Sequence, residues 1–178
     1  ETEVIGGNTF DYPALHGRSV AAAGYSFCSA SVRAVERGEV SPDGYSAVDL
    51  ILGEQRSTTI GRGVTGYAFK TFSPELQAVL RRYMAGGCAL FVSGSYVATD
   101  LWTGGEASDD DRRFAEEVLH YTYDGSRAAQ RGRVRVVTSH PGFSRDEYRY
   151  VNEYRPDRYR VESPDALRPA GAGAFSVM

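Results

Sequence analysis

The sequence predicts an α/β domain of the three-layer sandwich kind, with a mostly parallel sheet covered on both faces. Two short apolar runs, Val48-Asp49-Leu50-Ile51-Leu52 and Cys88-Ala89-Leu90-Phe91-Val92, have the length and content of buried strands. Between such runs lie segments with helix start signals and helical spacing. The second run ends in Ser93-Gly94-Ser95-Tyr96, the small-residue turn of a strand-to-helix junction. Strands that alternate with helices are joined by crossovers, which make neighbouring strands run the same way. With 178 residues, 42% of them hydrophobic, the chain has material for one sizeable core, so residues 1–178 are expected to form a single domain.

The elements follow in order. Asp11 can cap a helix through Ala22-Ala23, with Pro13 in its first turn and Gly24 closing it. Tyr25-Ser26-Phe27-Cys28 is expected to be a short strand, and the hydroxyls of Ser29 and Ser31 to cap a helix from Val32 to Arg37, stopped by Gly38. Ser41-Pro42-Asp43-Gly44 is a turn by composition; residues 45–52 then form a strand whose second half is buried on both faces. A polar loop follows to Phe69. Ser73-Pro74-Glu75 starts a helix that buries Leu76, Val79, Leu80 and Tyr83 and ends at Gly86-Gly87. After the Cys88 strand, Ser108 caps a helix whose Asp109-Asp110-Asp111 opening suits the positive end of the dipole, with Phe114, Val118 and Leu119 facing inward. Arg133 to Val137 is a further strand. Alternation around Tyr148-Arg149-Tyr150-Val151 suggests an edge hairpin, and an apolar strand starts at Ala174.

Composition excludes several function classes. The 20 basic and 23 acidic residues are mixed along the chain, net charge −3, so no basic stripe for nucleic acid exists. Basic charge is almost all arginine, Lys70 being the single lysine. No apolar run reaches the roughly 18 to 20 residues of a membrane span. Cys28 and Cys88 lack metal spacing and read as buried free thiols at opposite sheet edges; three scattered histidines make no metal site. The glycines form neither a dinucleotide fingerprint nor a phosphate loop, so no cofactor is expected. Both ends look cut, so a larger parent chain is expected around this one.

In parallel sheets ligands bind beyond the strand carboxyl ends. That rule selects Ser29 and Ser31, then Glu54, Gln55 and Arg56, then Ser93, Ser95 and Asp100, then Ser139 and His140. A sharp reading makes Ser95 a nucleophile, His140 its base and Glu54 or Glu153 the orienting carboxylate. The turn lacks the flanking glycines of a nucleophile elbow, and a bland reading has Ser93 and Ser95 bonding turn amides and His140 capping a strand end. Trp102 and the tyrosines could stack on sugar faces or simply pack.

The residues Gly7-Asn8-Thr9-Phe10-Asp11-Tyr12-Pro13, Val48-Asp49-Leu50-Ile51-Leu52-Gly53, Phe69-Lys70-Thr71-Phe72-Ser73-Pro74 and, most specifically, Ser93 to Trp102 resemble a family. It is the class I glutamine amidotransferase-like domain of exported Bacteroidetes proteins, often labelled xanthan lyase and carrying golvesin-like or fibronectin-type modules. The resemblance implies a flavodoxin-like sandwich, a secreted or cell-surface setting, and a missing first strand upstream and last strand downstream. It also implies a repurposed relative without amidotransferase catalysis, because Ser95 stands where those enzymes place cysteine and His140 is followed by Pro141-Gly142 in place of a His-x-Glu pair. Two functions follow as expectations: a non-catalytic scaffold or module binding polysaccharide, or a serine-dependent hydrolase or lyase built on Ser95 and His140.

Overall fold

The computed structural model describes residues 12–59, 66–103, 107–129, 132–149 and 163–178. Helix α1 spans Tyr12–Ala22 and α2 spans Val32–Glu36, the latter capped by Ser31, whose hydroxyl accepts from Ala34 N. Strand β1 is Ala47–Gly53, followed by the two-residue strands β2, Thr58–Thr59, and β3, Tyr67–Ala68. Helix α3 is Pro74–Ala85, with Ser73 as its cap, and β4 is Ala89–Gly94. Then come α4, Thr99–Trp102, and α5, Asp109–Glu117. The remaining strands are β5, Tyr121–Gly125; β6, Arg133–Arg135; β7, Glu147–Arg149; and β8, Ala166–Pro169. The expected cap at Asp11 and the candidate carboxylate Glu153 lie outside the described residues.

The core forms where sequence periodicity puts it. Leu50 and Leu52 from one face of β1 pack with Leu76 and Leu80 of α3, Phe114 and Ala115 of α5, and Phe72 and Leu101. The Phe72 and Phe114 rings, both fully buried, meet at 5.4 Å in a tilted pair. Burying two such rings removes enough apolar surface from water to tie the α3 start to α5.

The three-layer, mostly parallel sandwich is overturned. Among the described residues there are four two-stranded sheets, and only β1 with β4 is parallel, in register from Ala47 opposite Ala89. The other pairs, β2 with β3, β5 with β8 and β6 with β7, are antiparallel. The flavodoxin-like expectation falls with it, and each missing strand has its own cause. Residues 25–31 take up no strand; Phe27 lies over Gly17 of α1, so close that a Cβ there would meet its Cζ at 2.6 Å. A four-residue apolar run cannot by itself distinguish a strand from a loop that anchors one ring on a helix. Strand β6 reads Arg-Val-Arg and is exposed on alternate residues, so it cannot be buried on both faces as a central parallel strand must be; it pairs with β7 instead. Strand β7 covers Tyr148-Arg149 of the expected edge hairpin, whose Tyr150-Val151 lie outside the described residues.

Strand β1 itself is half-buried in alternation, not buried on both faces over its second half. Its outer face carries Asp49, and the neighbouring Phe91 of β4 is 62% exposed. Helix α1 touches this face through His16 Nδ1, 2.7 Å from Asp49 Oδ2. The strand foreseen from Ala174 is absent, although Val137 N donates to Val177 O at 2.7 Å. Cys28 and Cys88 are free thiols; Cys28 is exposed, against the expectation of burial.

Candidate functional site

With one parallel pair, the strand-end rule applies to two of the four clusters, those after β1 and β4. They meet. Ser95 N donates to Gly53 O at 2.8 Å, and Gly53 stands opposite Gly94 in the register. Gly53 has φ +57, which lets β1 turn away at once. Gly94 lets β4 pass close: a Cβ there would lie 3.0 Å from Leu52 Cβ and 3.2 Å from Gly53 O. The rim that results holds Glu54, Gln55 and Arg56 beside Ser93, Ser95 and Tyr96.

Asp100 sits behind this rim and gathers it. Its Oδ2 accepts from Ser57 N at 2.7 Å, Thr71 N at 2.9 Å and Thr71 Oγ1 at 2.9 Å. Gln55 is bound from both ends, its Nε2 donating to Lys70 O and its main-chain carbonyl sharing the one Thr71 hydroxyl proton with Asp100 Oδ2. Arg56 lies over the Tyr96 ring, 4.7 Å from the centroid. Glu54 is half-buried, with Oε1 closed off from solvent. Ser95 is buried and is held by backbone on both sides, its carbonyl accepting from Asp165 N at 2.8 Å.

The other expected residues lie elsewhere or pack. His140 is exposed in the loop after β6, its Nδ1 accepting from Gly142 N at 3.1 Å and its ring tilted against Phe143; Ser139 precedes it, also exposed. Among the described residues no hydrogen bond joins Ser95 to His140. Trp102 ends α4 and stacks at 6.4 Å on each of Tyr121 and Tyr123, at the margin of the core. Ser29 and Ser31 follow no strand, and Ser31 is spent on the α2 cap.

Three anchors went unread in the sequence. Asp165 accepts through Oδ2 from Ala98 N and Thr99 N, and through Oδ1 from Thr99 Oγ1, at 2.7 to 2.8 Å, so it ties the α4 start to the segment before β8. Tyr121 donates to Val97 O, and burial, followed by the Asp165 charge, pushes its phenol far above the usual value. Asp111, expected only to complement the helix dipole, is buried and bonded to Lys70 Nζ at 2.8 Å and Gln77 Nε2 at 2.6 Å. Burial alone raises its pKa, but Lys70, the Ser108 amide, Gln77 and the Ser108 hydroxyl together hold it below the ordinary carboxylate value. The isolated Lys70 in an arginine-rich chain was the one available sign of this pair.

No three His, Cys, Asp or Glu side chains gather as metal ligands among the described residues, and no helix there is long and apolar enough to cross a membrane. No family model, curated protein or solved structure matches the chain.

Proposed function

We propose that this domain is a non-catalytic module of a larger exported or cell-surface protein concerned with polysaccharide or envelope processing, serving as a scaffold or glycan-binding unit. The observation that carries this is the Asp100 oxygen with its three donors: the polar groups behind the β1–β4 rim hold one another. A catalytic carboxylate needs a proton to move or a base to orient, and one that accepts from two backbone amides and a hydroxyl is already committed to structure. Arg56 on Tyr96 leaves a cation and aromatic surface at the same rim, chemistry that suits sugar hydroxyls and ring faces.

A serine-hydrolase reading has one point in its favour, since Ser95 follows a parallel strand across a close-packed glycine. It lacks a base within hydrogen-bond reach of the hydroxyl among the described residues. A fluorophosphonate probe tests it: the module leaves Ser95 unlabelled at concentrations that label an active serine enzyme. Stoichiometric labelling lost in Ser95→Ala would overturn the non-catalytic reading. Calorimetric titration with neutral and acidic oligosaccharides tests the binding half.

A further inference from the structure

The antiparallel pairs β5–β8 and β6–β7 each leave a strand edge open, and both open edges border one cleft. The cleft, of about 780 Å³, is lined by Asp165 to Pro169 around β8 and by Arg133 to Arg135 of β6. Consecutive residues line it on both strands. A sheet face would offer only every second residue, so these walls are strand edges.

The ladder bonds fix what the edges carry. In an antiparallel pair, residues that exchange both backbone bonds with the partner strand alternate with residues that point both groups away from it. Val136 N donates to Asp146 O in continuation of the β6–β7 register, so Val134 bonds to β7 while Arg133 and Arg135 turn N–H and C=O outward. Val137, next in the outward set, donates from N to Val177 O at 2.7 Å. On β8, Ala170 N donates to His120 O, so Arg168 bonds to β5 while Leu167 points both groups away, as the Pro169 carbonyl does. Among the described residues no backbone hydrogen bond reaches the outward groups of Arg133, Arg135 or Leu167.

Side chains at the two edges alternate. Leu167 and Pro169 share a face with Tyr121 and Tyr123, whose rings stack on Trp102 at the margin of the core, whereas Arg168 on the other face meets Asp124. On β6 the half-buried Val134 stands between exposed Arg133 and Arg135. From this we infer that the cleft takes an extended peptide of another protein, added as a strand between β8 and β6 and alternating apolar with uncharged polar side chains. Rows of N–H and C=O at strand spacing are matched by another extended backbone, which here pairs on both sides and covers Leu167 and Phe175, 39% and 60% exposed. The arginines of the cleft are offset by Asp124, Glu147 and Asp165, so the polar positions of the peptide need carry no charge. A second copy of this chain fits badly, because two β6 edges meeting across a two-fold axis would set Arg133 of each against Arg135 of the other. The inference uses neither the β1–β4 rim nor the glycan reading.

The experiment titrates the 178-residue chain with the peptide acetyl-Thr-Val-Thr-Val-Thr-Val-Thr-amide and with two forms of it, N-methylated on the valines or on the threonines. Each methylation keeps the alternation and removes the donors along one edge of the peptide. The parent peptide is expected to bind, and each methylated form to lose roughly tenfold or more in affinity, since backbone bonds are lost on one side. In hydrogen exchange the largest gains in protection are expected at the Arg133, Arg135 and Leu167 amides, with little change at Val134 and Arg168, which the existing ladders already hold. Arg135→Pro removes an outward donor and leaves the β7 ladder its bonds, so it is expected to weaken binding by a similar factor, circular dichroism checking the fold. Should that variant not fold, the methylated peptides on the unaltered chain decide. If the parent peptide does not bind, or if either methylated form binds as well as the parent, no strand is added between β8 and β6 and the inference is overturned. If sedimentation shows a dimer in which those three amides are protected without peptide, a second copy fills the cleft and the peptide assignment is wrong. None of these outcomes bears on the oligosaccharide titration, so the two readings fail separately.

Discussion

Removing the Asp100 side chain strands two backbone donors at once, the Ser57 and Thr71 amides, while the Thr71 hydroxyl keeps Gln55 O as an acceptor. The asymmetry of hydrogen bonding makes this expensive, because a buried donor without an acceptor loses its water and gains nothing. Asp100→Ala is expected to lower unfolding stability by about 3 kcal/mol or more, read as a shifted urea midpoint at unchanged slope. Thr71→Val keeps both amide bonds and removes only the hydroxyl proton that Asp100 Oδ2 and Gln55 O share, and is expected to cost about 1 kcal/mol. Equal losses in the two variants would show that Asp100 is not the hub. Position made Asp100 visible in the sequence, since it follows the second apolar run. Its partners were not visible, because they lie 43 and 29 residues away and no local spacing records them.

Elements whose ends are marked by side chains were legible. Ser31, Ser73 and Ser108 each accept from the amide three residues on, as their place before a helix implies, and Asp111 completes a capping box with Ser108. The apolar runs at β1 and β4 were legible for the same reason, being too short for helices and too apolar for loops. What failed was pairing. Strands β5, Tyr121-Thr122-Tyr123-Asp124-Gly125, and β8, Ala166-Leu167-Arg168-Pro169, carry too few aliphatic residues to stand out, yet they pair antiparallel across more than forty residues. Direction in a sheet is decided by such remote contacts, so two genuine βα signals were extended into a sheet that the rest of the chain does not build. The β1–β4 junction is testable at this scale. Gly94→Ala forces a methyl to within 3.0 Å of Leu52 Cβ, and the cost of easing β4 away from β1 is expected to be about 1 to 3 kcal/mol. Gly66→Ala, where the same Cβ meets nothing, serves as the control and is expected to cost well under 1 kcal/mol. A Gly94 variant as stable as the control would mean the strands are not packed so closely.

At the scale of the whole molecule, one buried ion pair joins parts that no shared strand connects. Asp111 of α5 takes Lys70 from the segment before α3 and Gln77 from α3 itself, with side-chain exposure of 5% for Asp111 and 15% for Lys70. Because the folded state holds this carboxyl below its usual pKa, folding favours the ionised form. The stabilisation is therefore fully present above the unfolded value of about 3.9 and is lost as pH falls from there through the lower folded pKa. Asp111→Asn removes the charge and keeps the shape, so the stability gap between it and the unaltered chain isolates this one group from every other carboxylate that titrates. The gap is expected to be about 2 kcal/mol near neutral pH, the size of charge-assisted bonds in a buried site, and to close as pH is lowered below about 3.9. Urea unfolding of both chains across that range measures it. A gap that stays constant into strong acid would mean that Asp111 holds α3 and α5 together by shape alone, and that the Lys70 charge contributes nothing to the joint.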